Sequence, residues 1–448
     1  MSRRVETMEA DVVIVGSGPG GAAMARELSR KGRKVILCEK GKYNGRFGAS
    51  IFLLGMMEGM GLTFSREGTW VFRPTTVGGG SVVFCGTACK PPKWLKEKYD
   101  IELQEEVDEL YREIPIRTLP DSLIGPGSSA IMGAAREIGM DWRPMEKWIR
   151  HEKCKVNCGK CALGCKEERA KWTAREYVEE ARKNGAQLLL ETQVDRVLSR
   201  GGKAEGVRAK GPYGWMNILA ETVILSAGGQ GTPPILKRSG VYDAGQGLFV
   251  DPMWFVMGAA KSRGCLHDIP MSAGVNLAED GIVMTDMMPP PMMCLALMAF
   301  SGVGGWVSLP KAVGFGRMLS IMIKVRDGLD GRVNLDGSFS KPIDHDTWWK
   351  LEKGAVLAEE ILQKAGVKRD DILRTSVMVA AHPGGTVRIG DILDKDCQTP
   401  IQNCYCMDTT VLPEPFGLPP VVTVVAMAKR LAKHLTAQEK ALVAHPVA

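Results

Sequence analysis

Four cysteines, Cys154, Cys158, Cys161 and Cys165, follow one another as C-x3-C-x2-C-x3-C inside twelve residues. Thiolates this closely spaced suit a compact iron–sulfur cubane, [4Fe–4S], because bacterial clusters of that type are wrapped by similarly tight cysteine runs. A zinc site more often takes two C-x2-C pairs separated by a long spacer. Zinc and free thiols stand as the alternatives. Gly159 and Gly164 fall between the cysteines, where a backbone without Cβ can curl around a cluster and aim N–H groups at sulfur. The flanks are basic: eight Lys or Arg against three acids between Arg150 and Arg175, with lysines at 153, 155, 160 and 166 nearest. Such a face either balances a negative cluster in solvent or docks an acidic electron carrier such as ferredoxin or flavodoxin.

A second pattern is suited to phosphate. Gly16-Ser17-Gly18-Pro19-Gly20-Gly21 fits G-x-G-x-x-G. Gly16 permits the tight turn, Gly18 lets the backbone approach a pyrophosphate, and Gly21 lets the following helix pack on the strand. The helix start then faces the phosphates with unpaired N–H groups and the positive end of its dipole. Glu39 stands 18 residues past Gly21. A carboxylate there accepts hydrogen bonds from both ribose hydroxyls and repels a 2′-phosphate. The pattern by itself does not separate FAD from NAD.

These groups need particular elements around them. Residues 11–16 read as a buried parallel strand, about Gly20 to Lys31 as a helix, and Lys34 to Glu39 as a second strand. That βαβ unit is the context the fingerprint requires. Residues 68–92, rich in Gly, Thr and Pro, read as a loop entering a helix. Residues 101–114 and 173–184 read as helices, and 187–191 and part of 218–232 as strands. From about 253 to 370 Met, Trp, Phe and Pro become frequent and the fingerprints disappear. A strand, a Gly-rich loop and a long final helix, Val421 to about Leu435, follow from about 375. The expected fold class is α/β. A Rossmann-like domain, a parallel sheet with flanking helices, takes residues 1–252, with the cysteine segment at 150–170, and residues 371–448. An inserted α+β domain takes 253–370.

The chain's 448 residues exceed one ordinary core, and 45% hydrophobic with 24% charged is a globular balance. A net charge of +7 is weak for this length. No basic stripe with interleaved aromatics accompanies it, which excludes a nucleic-acid binder. Ser2 to Asp11 is polar and charged, and the apolar run Val12–Val15 is too short for a secretory leader. A cytoplasmic location is therefore expected, where twelve cysteines stay reduced and metal or redox chemistry comes first. Cys404 and Cys406 share one face of an apparent strand and fit simple packing. No transmembrane segment is expected. The least charged stretch, Met287 to Pro310, contains Pro289, Pro290, Pro291, Gly302, Gly304 and Gly305, read as breaking any helix there. The methionines crowding the second domain, with Trp254 and Phe255, are mostly core, and a subset could line an adaptable apolar pocket. The scarcity of charges there favours a lipophilic substrate, or a quinone as partner.

Further segments resemble the glucose–methanol–choline (GMC) oxidoreductases. They are Thr76-Val-Gly-Gly-Gly-Ser-Val-Val-Phe-Cys-Gly86, Val223-Ile-Leu-Ser-Ala-Gly-Gly-Gln-Gly-Thr-Pro-Pro-Ile-Leu-Lys-Arg-Ser-Gly240, His382-Pro-Gly-Gly-Thr-Val-Arg-Ile-Gly390, and the pair Met407-Asp-Thr-Thr-Val-Leu-Pro413 and Gly417-Leu-Pro-Pro420 continuing to Ala428. The matches run in family order, while residues 253–370 match only in placement. The resemblance implies FAD along the first domain and hydride transfer between substrate and flavin. It places Gly79, Gly80 and Ser81 near the flavin and pyrophosphate, Val194 near adenine, and Asp408 at the ribityl or pyrophosphate region. His382 matches the family's active-site histidine, and a neutral imidazole titrating near about 7 suits a base that takes a hydroxyl proton. There is one departure. The family usually has a second His or Asn where this chain has Pro419, and proline offers no side-chain donor or acceptor.

These expectations combine into an FAD-dependent dehydrogenase. It moves a hydride between an apolar alcohol-type substrate and flavin, and passes electrons through an iron–sulfur cluster to a carrier: ferredoxin, flavodoxin or quinone, or a partner redox subunit. The same parts could run as a reductase. The alternatives are an electron-transfer flavoprotein subunit with no small-molecule substrate of its own, and a zinc-stapled flavoenzyme.

Overall fold

The computed structural model describes residues 6–45, 57–165, 170–261, 264–300 and 314–444, the side chains of 57–62 and 439–444 excepted. Lys166, Gly302, Gly304 and Gly305, singled out above, lie outside the described residues.

Val12, Val13, Ile14 and Val15 are almost wholly buried. Their strand, Glu6–Val15, has a parallel neighbour on each side, Val35–Cys38 and Gly214–Leu225. A strand covered on both faces reads as a continuous apolar run. Gln187–Leu189 extends the sheet beyond Val35–Cys38, and Cys404–Cys406 pairs in parallel with the end of Gly214–Leu225. The long strand Gly214–Leu225 also carries an antiparallel meander, Lys203–Gly211 and Gln193–Arg200. Together these make a seven-stranded sheet. Cys404 and Cys406 are fully buried in it, as packing residues would be. The helix Pro19–Arg30 lies between this sheet and the final helix, Val421–Ala444. Pro19 opens it, where a missing N–H is no loss. Gly20, Gly21, Ala22, Ala23 and Ala25 keep its buried face thin. The α/β, Rossmann-like reading of this half describes what is found.

A second, nine-stranded sheet forms the other layer. Its centre is antiparallel: Pro252–Ala259, Met318–Val325, Ile282–Asp286 and Ala273–Leu277. Trp70–Pro74 joins through Val379–Ala380 at one side, and Arg143–Pro144 pairs at the other edge. Strands from before residue 253 and after 370 therefore complete a sheet whose body lies between them. The helix His345–Lys364 covers one face, and Asp344 caps it by accepting from the Thr347 N–H at 2.7 Å. Leu351, Ala355, Ala358 and Leu362 are buried along one stripe of that helix. Each layer has its own apolar core.

Two local expectations need correction. The stretch after Met287 does hold a helix, Pro291–Phe300. Its prolines precede the first turn instead of interrupting it, with Pro291 at the position that tolerates proline. Residues 68–92 are not all loop, since Trp70–Pro74 is a strand and Gly79–Val82 a single 3-10 turn.

The helix His345–Lys364 approaches its sheet through Gly354, where an added Cβ would overlap the branched side chain of Ile323. Gly354→Leu is expected to lower the thermal midpoint, with a cost of about 1–3 kcal/mol for the overpacked contact. An unchanged melting curve would show that the helix and its sheet do not depend on this close approach.

Candidate active site

Three glycines of the fingerprint are taken up by packing. Gly16 turns at φ 98°, and a Cβ there would overlap the Ser226 carbonyl. A Cβ on Gly20 would overlap the Met407 carbonyl, and one on Gly21 the Gly16 carbonyl. Gly18 differs: a Cβ there would meet nothing within 4 Å. It is the N-cap of the helix Pro19–Arg30, which has no side-chain cap. Open space at an uncapped helix start is what a pyrophosphate needs, so this cradle fits a dinucleotide.

The second Gly-rich loop reaches the same place. The Gly78 N–H donates to Ser17 Oγ at 3.2 Å, and a Cβ on Gly79 would stand 3.0 Å from Gly18 Cα. Gly80 faces open space. Ser81 is an internal brace: its hydroxyl donates to Gly78 O at 2.6 Å and accepts from the Ala174 N–H at 2.9 Å. Glu39, buried, accepts from the Ser17 N–H at 3.1 Å, the Ser17 hydroxyl at 2.5 Å and the Gly41 N–H at 2.8 Å, which leaves capacity for about one further donor. The Thr192 N–H donates to Glu39 O at 2.9 Å. That bond brings the strand containing buried Val194 beside Glu39. Asp408 fastens two loops together, accepting from the Gly228 N–H at 2.8 Å, Thr232 Oγ1 at 2.6 Å and the Thr410 N–H at 2.8 Å. Burial raises its pKa, with those hydrogen bonds opposing.

His382 belongs to a buried charge network. Its Nδ1 lies 3.0 Å from Asp251 Oδ2 and 3.5 Å from Lys324 Nζ, which is itself 3.9 Å from the same oxygen. Asp251 and Lys324 are buried, while His382 keeps 21% of its side chain exposed, so part of the ring stays open to a ligand. The other oxygen of Asp251 accepts from the Gly417 N–H at 2.9 Å, which draws in the loop that carries Pro419. Asp251 sits at φ 51°, a conformation Asp tolerates better than most residues. Its N–H donates to Asp327 Oδ1 at 3.1 Å, and Asp327 is paired with Lys341 at 3.0 Å. Burial pushes Asp327 up to about 6. Burial and the Lys324 charge hold His382 below the ordinary imidazole value, against the pull of Asp251.

The four cysteines line one recess, with Lys171 and Ile269 also in its wall. Asn157, Gly159, Gly164 and Cys165 all have positive φ, which curls the segment. Gly159 must be glycine, since a Cβ would come within 2.7 Å of the Leu266 carbonyl. Burial pushes the Cys154 thiol up to about 11 and Cys161 up to about 12. Among the described residues, no three His, Cys, Asp or Glu side chains converge tightly enough to hold a single metal ion. Lysines 153 and 155 are exposed beside the recess, and Lys160 is partly so.

Sequence reasoning missed Asp251, Lys324 and Lys171. Nothing near Asp251 or Lys324 in the chain forms a motif, and their partners are 131 and 58 residues away. Asp251 stands beside Pro252 after an apolar run, and an acid so placed was the one available hint.

The contrast between Gly18 and Gly20 separates binding from folding. Gly18→Val is expected to fold with a near-native melting curve and purify without the dinucleotide. Gly20→Ala is expected to destabilise the fold itself. Absorbance at the cofactor band and thermal melting decide the matter, and a Gly18→Val protein that retains full cofactor would remove Gly18 from the cradle.

Comparisons with known proteins bear on the family and the fold. A family model described as GMC oxidoreductase matches residues 20–253, more than half of the chain. An uncharacterized GMC-type oxidoreductase of Mycobacterium tuberculosis is 29% identical over 347 residues, 69% of this chain and 53% of that one. The chain thus spans about half the length of that curated relative. An uncharacterized protein of Methanocaldococcus jannaschii is 28% identical over 433 residues, 95% of this chain and 99% of that one. A long-chain-alcohol oxidase of Arabidopsis thaliana is 24% identical over 518 residues, 96% of this chain and 68% of that one. The crystal structure of pyridoxine 4-oxidase from Mesorbium loti shares the fold, with a TM-score of 0.73 at 15% identity over 95% of this chain and 99% of that one. On the matched model and the loops described above, the chain belongs to the GMC oxidoreductase family.

Proposed function

We propose that this protein is an FAD-dependent dehydrogenase that oxidises an apolar alcohol-type substrate and passes the electrons through a [4Fe–4S] cluster to a carrier. Family membership implies FAD. Gly18, Gly79 and Gly80 leave it room, and Glu39 and Val194 stand at the ribose and adenine end. Residues 1–252 with 371–448 form the flavin side in this reading, and 253–370 the body of the substrate side. When bound, the flavin supplies the acceptor for a hydride.

The observation that carries the reading is His382, oriented by a buried carboxylate and still partly exposed. For Nε2 to act as a base, Nδ1 must bear the hydrogen and donate it to Asp251 Oδ2 at 3.0 Å. The substrate hydroxyl then gives its proton to Nε2 as the carbon loses its hydride, leaving a carbonyl. Asp251 stabilises the imidazolium that forms. Lys324 opposes it, which keeps the resting imidazole neutral and eases release of the proton. Pro419 offers no contact to the substrate oxygen. Lys324 has ammonium donors whose described partners lie no nearer than 3.5 Å, and it is the candidate to supply one.

An apolar alcohol is supported by the substrate-side core, where Met253, Met257, Met284, Met318 and Met322 are buried beside Trp254 and Phe255. The name of the Arabidopsis relative, a long-chain-alcohol oxidase, agrees with that substrate class. That name also makes oxygen the acceptor to test against. A cluster hands on single electrons, a part an oxidase does not need, and the four-cysteine recess therefore favours a dehydrogenase. Exposed Lys153 and Lys155 beside the recess suit an acidic carrier such as ferredoxin or flavodoxin, and a quinone is the apolar alternative. A reducing cytoplasm would suit such a site. Among the described residues no helix is long and apolar enough to cross a membrane. Pro419 also favours a second reading, an electron-transfer subunit without a substrate of its own. Bleaching of the flavin by an alcohol distinguishes the two.

His382→Ala is expected to keep its FAD and fold and to lose about 10²–10⁴ in the rate of anaerobic flavin reduction by a long-chain alcohol. Reduction at the native rate would move the choice to the electron-transfer reading. The pH profile supplies a second check. The base works only when neutral, and His382 is held below its ordinary 6.5. The rate should therefore fall only as pH drops below that value. Lys324→Met removes a charge that lowers the His382 pKa, so the acid limb should move to higher pH. A limb that stays in place would exclude Lys324 from the control of His382.

A further inference from the structure

Five lysines are buried in the described structure: Lys147, Lys171, Lys324, Lys341 and Lys429. Three have carboxylates within 4 Å, namely Asp251 for Lys324, Asp327 for Lys341, and Glu27, Glu109 and Glu113 for Lys429. Lys147 and Lys171 have none among the described residues. Every acceptor they do have is neutral. Lys171 Nζ donates to the carbonyls of Val82 at 2.9 Å, Phe84 at 2.7 Å and Cys161 at 2.8 Å. Lys147 Nζ donates to Thr87 Oγ1 at 2.9 Å and to the carbonyls of Pro270 and Met271 at 2.9 and 3.1 Å. Hydrogen bonds to neutral oxygens satisfy the donors but do not cancel the charge, and an uncompensated buried cation is costly.

Lys171 lies in the wall of the cysteine recess and holds the Cys161 carbonyl. Lys147 holds the carbonyl of Pro270, which follows Ile269 of the same wall. Two positive charges without carboxylates, next to four cysteines around one space, describe a site built for an anion of about that charge. A cubane held by four thiolates is such an anion.

We propose that Lys147 and Lys171 are the built-in counter-charge of the cluster in the cysteine recess. Lys171 grips Cys161 and the Gly-rich loop at Val82 and Phe84 with one ammonium group. This rests on the cluster reading above and extends it to positioning residues. Each electron taken up adds one negative charge to the cluster, and a nearby buried cation favours the reduced state.

The test uses the full chain, purified without oxygen, as wild type, Lys171→Gln, Lys147→Gln, and the Arg variant at each position. Gln retains hydrogen-bond donors without the charge, and Arg retains the charge. Iron and FAD are counted, and the cluster is titrated reductively by electron paramagnetic resonance. About four irons per chain are expected in the wild type. Each Gln variant should either retain iron with a midpoint shifted to lower potential or lose iron that its Arg counterpart keeps. The Arg variants should titrate near the wild type. Iron-replete Gln variants at both positions with the wild-type midpoint would overturn the counter-charge role and leave the cluster reading intact. A wild-type protein without iron, or with zinc instead, would overturn the cluster reading and the lysine proposal with it. If one Gln variant does not fold, the comparison at the other position decides.

Discussion

No side chain fits between the start of the helix Pro19–Arg30 and the loops that meet it, and the flavin half of the molecule is organised around that close approach. Gly16 is pressed against Ser226, Gly20 against Met407, and Gly21 against the turn itself. Each contact is backbone against backbone, so strand end, helix start and two distant loops are held in register without a side chain between them. Ser226 Oγ donates to Met407 O at 2.7 Å and Asp408 ties its own loop to Gly228, which locks the arrangement. The space left over Gly18 is then a consequence of everything else being closed.

The substrate side is organised by charge instead. Lys341 pairs with Asp327, Asp327 holds the backbone of Asp251, and Asp251 holds both His382 and the Gly417 N–H. The carboxylates and lysines of the network are buried, so the attraction acts at low effective dielectric and the losses from breaking one link are large. The strand Met318–Val325 and the strand Val379–Ala380, which leads to His382, flank Pro252–Ala259 on either side. They are brought together at this one carboxylate, which suits a base that must be oriented before substrate arrives.

The cysteine segment is not an appendage to these two halves. Its backbone is bound to the flavin-side loop through Lys171 and pressed against residues 266–267 through Gly159. Lys147 connects the same neighbourhood to Pro270 and Met271, beside the strand Ala273–Leu277.

The fingerprint glycines, Glu39 and the cysteine spacing were legible in the chain because each rests on local backbone geometry, where near neighbours in sequence are near neighbours in space. Strand Glu6–Val15 was legible for a related reason: burial on both faces leaves an unbroken apolar run. The helix Pro291–Phe300 was misread because proline's effect depends on whether it opens a helix or interrupts it, and spacing alone does not tell which. His382 was found through its surrounding motif, but its partners were not, since Asp251, just before the strand Pro252–Ala259, and Lys324, within Met318–Val325, are brought to it from 131 and 58 positions away. Ser81 and Asp408, expected to face the cofactor, turn out to spend their described hydrogen bonds on neighbouring loops. Local sequence determined the cradle and the cysteine run; only the tertiary structure decided which buried charges face one another, because Coulomb interaction depends on distance in space and not on separation along the chain.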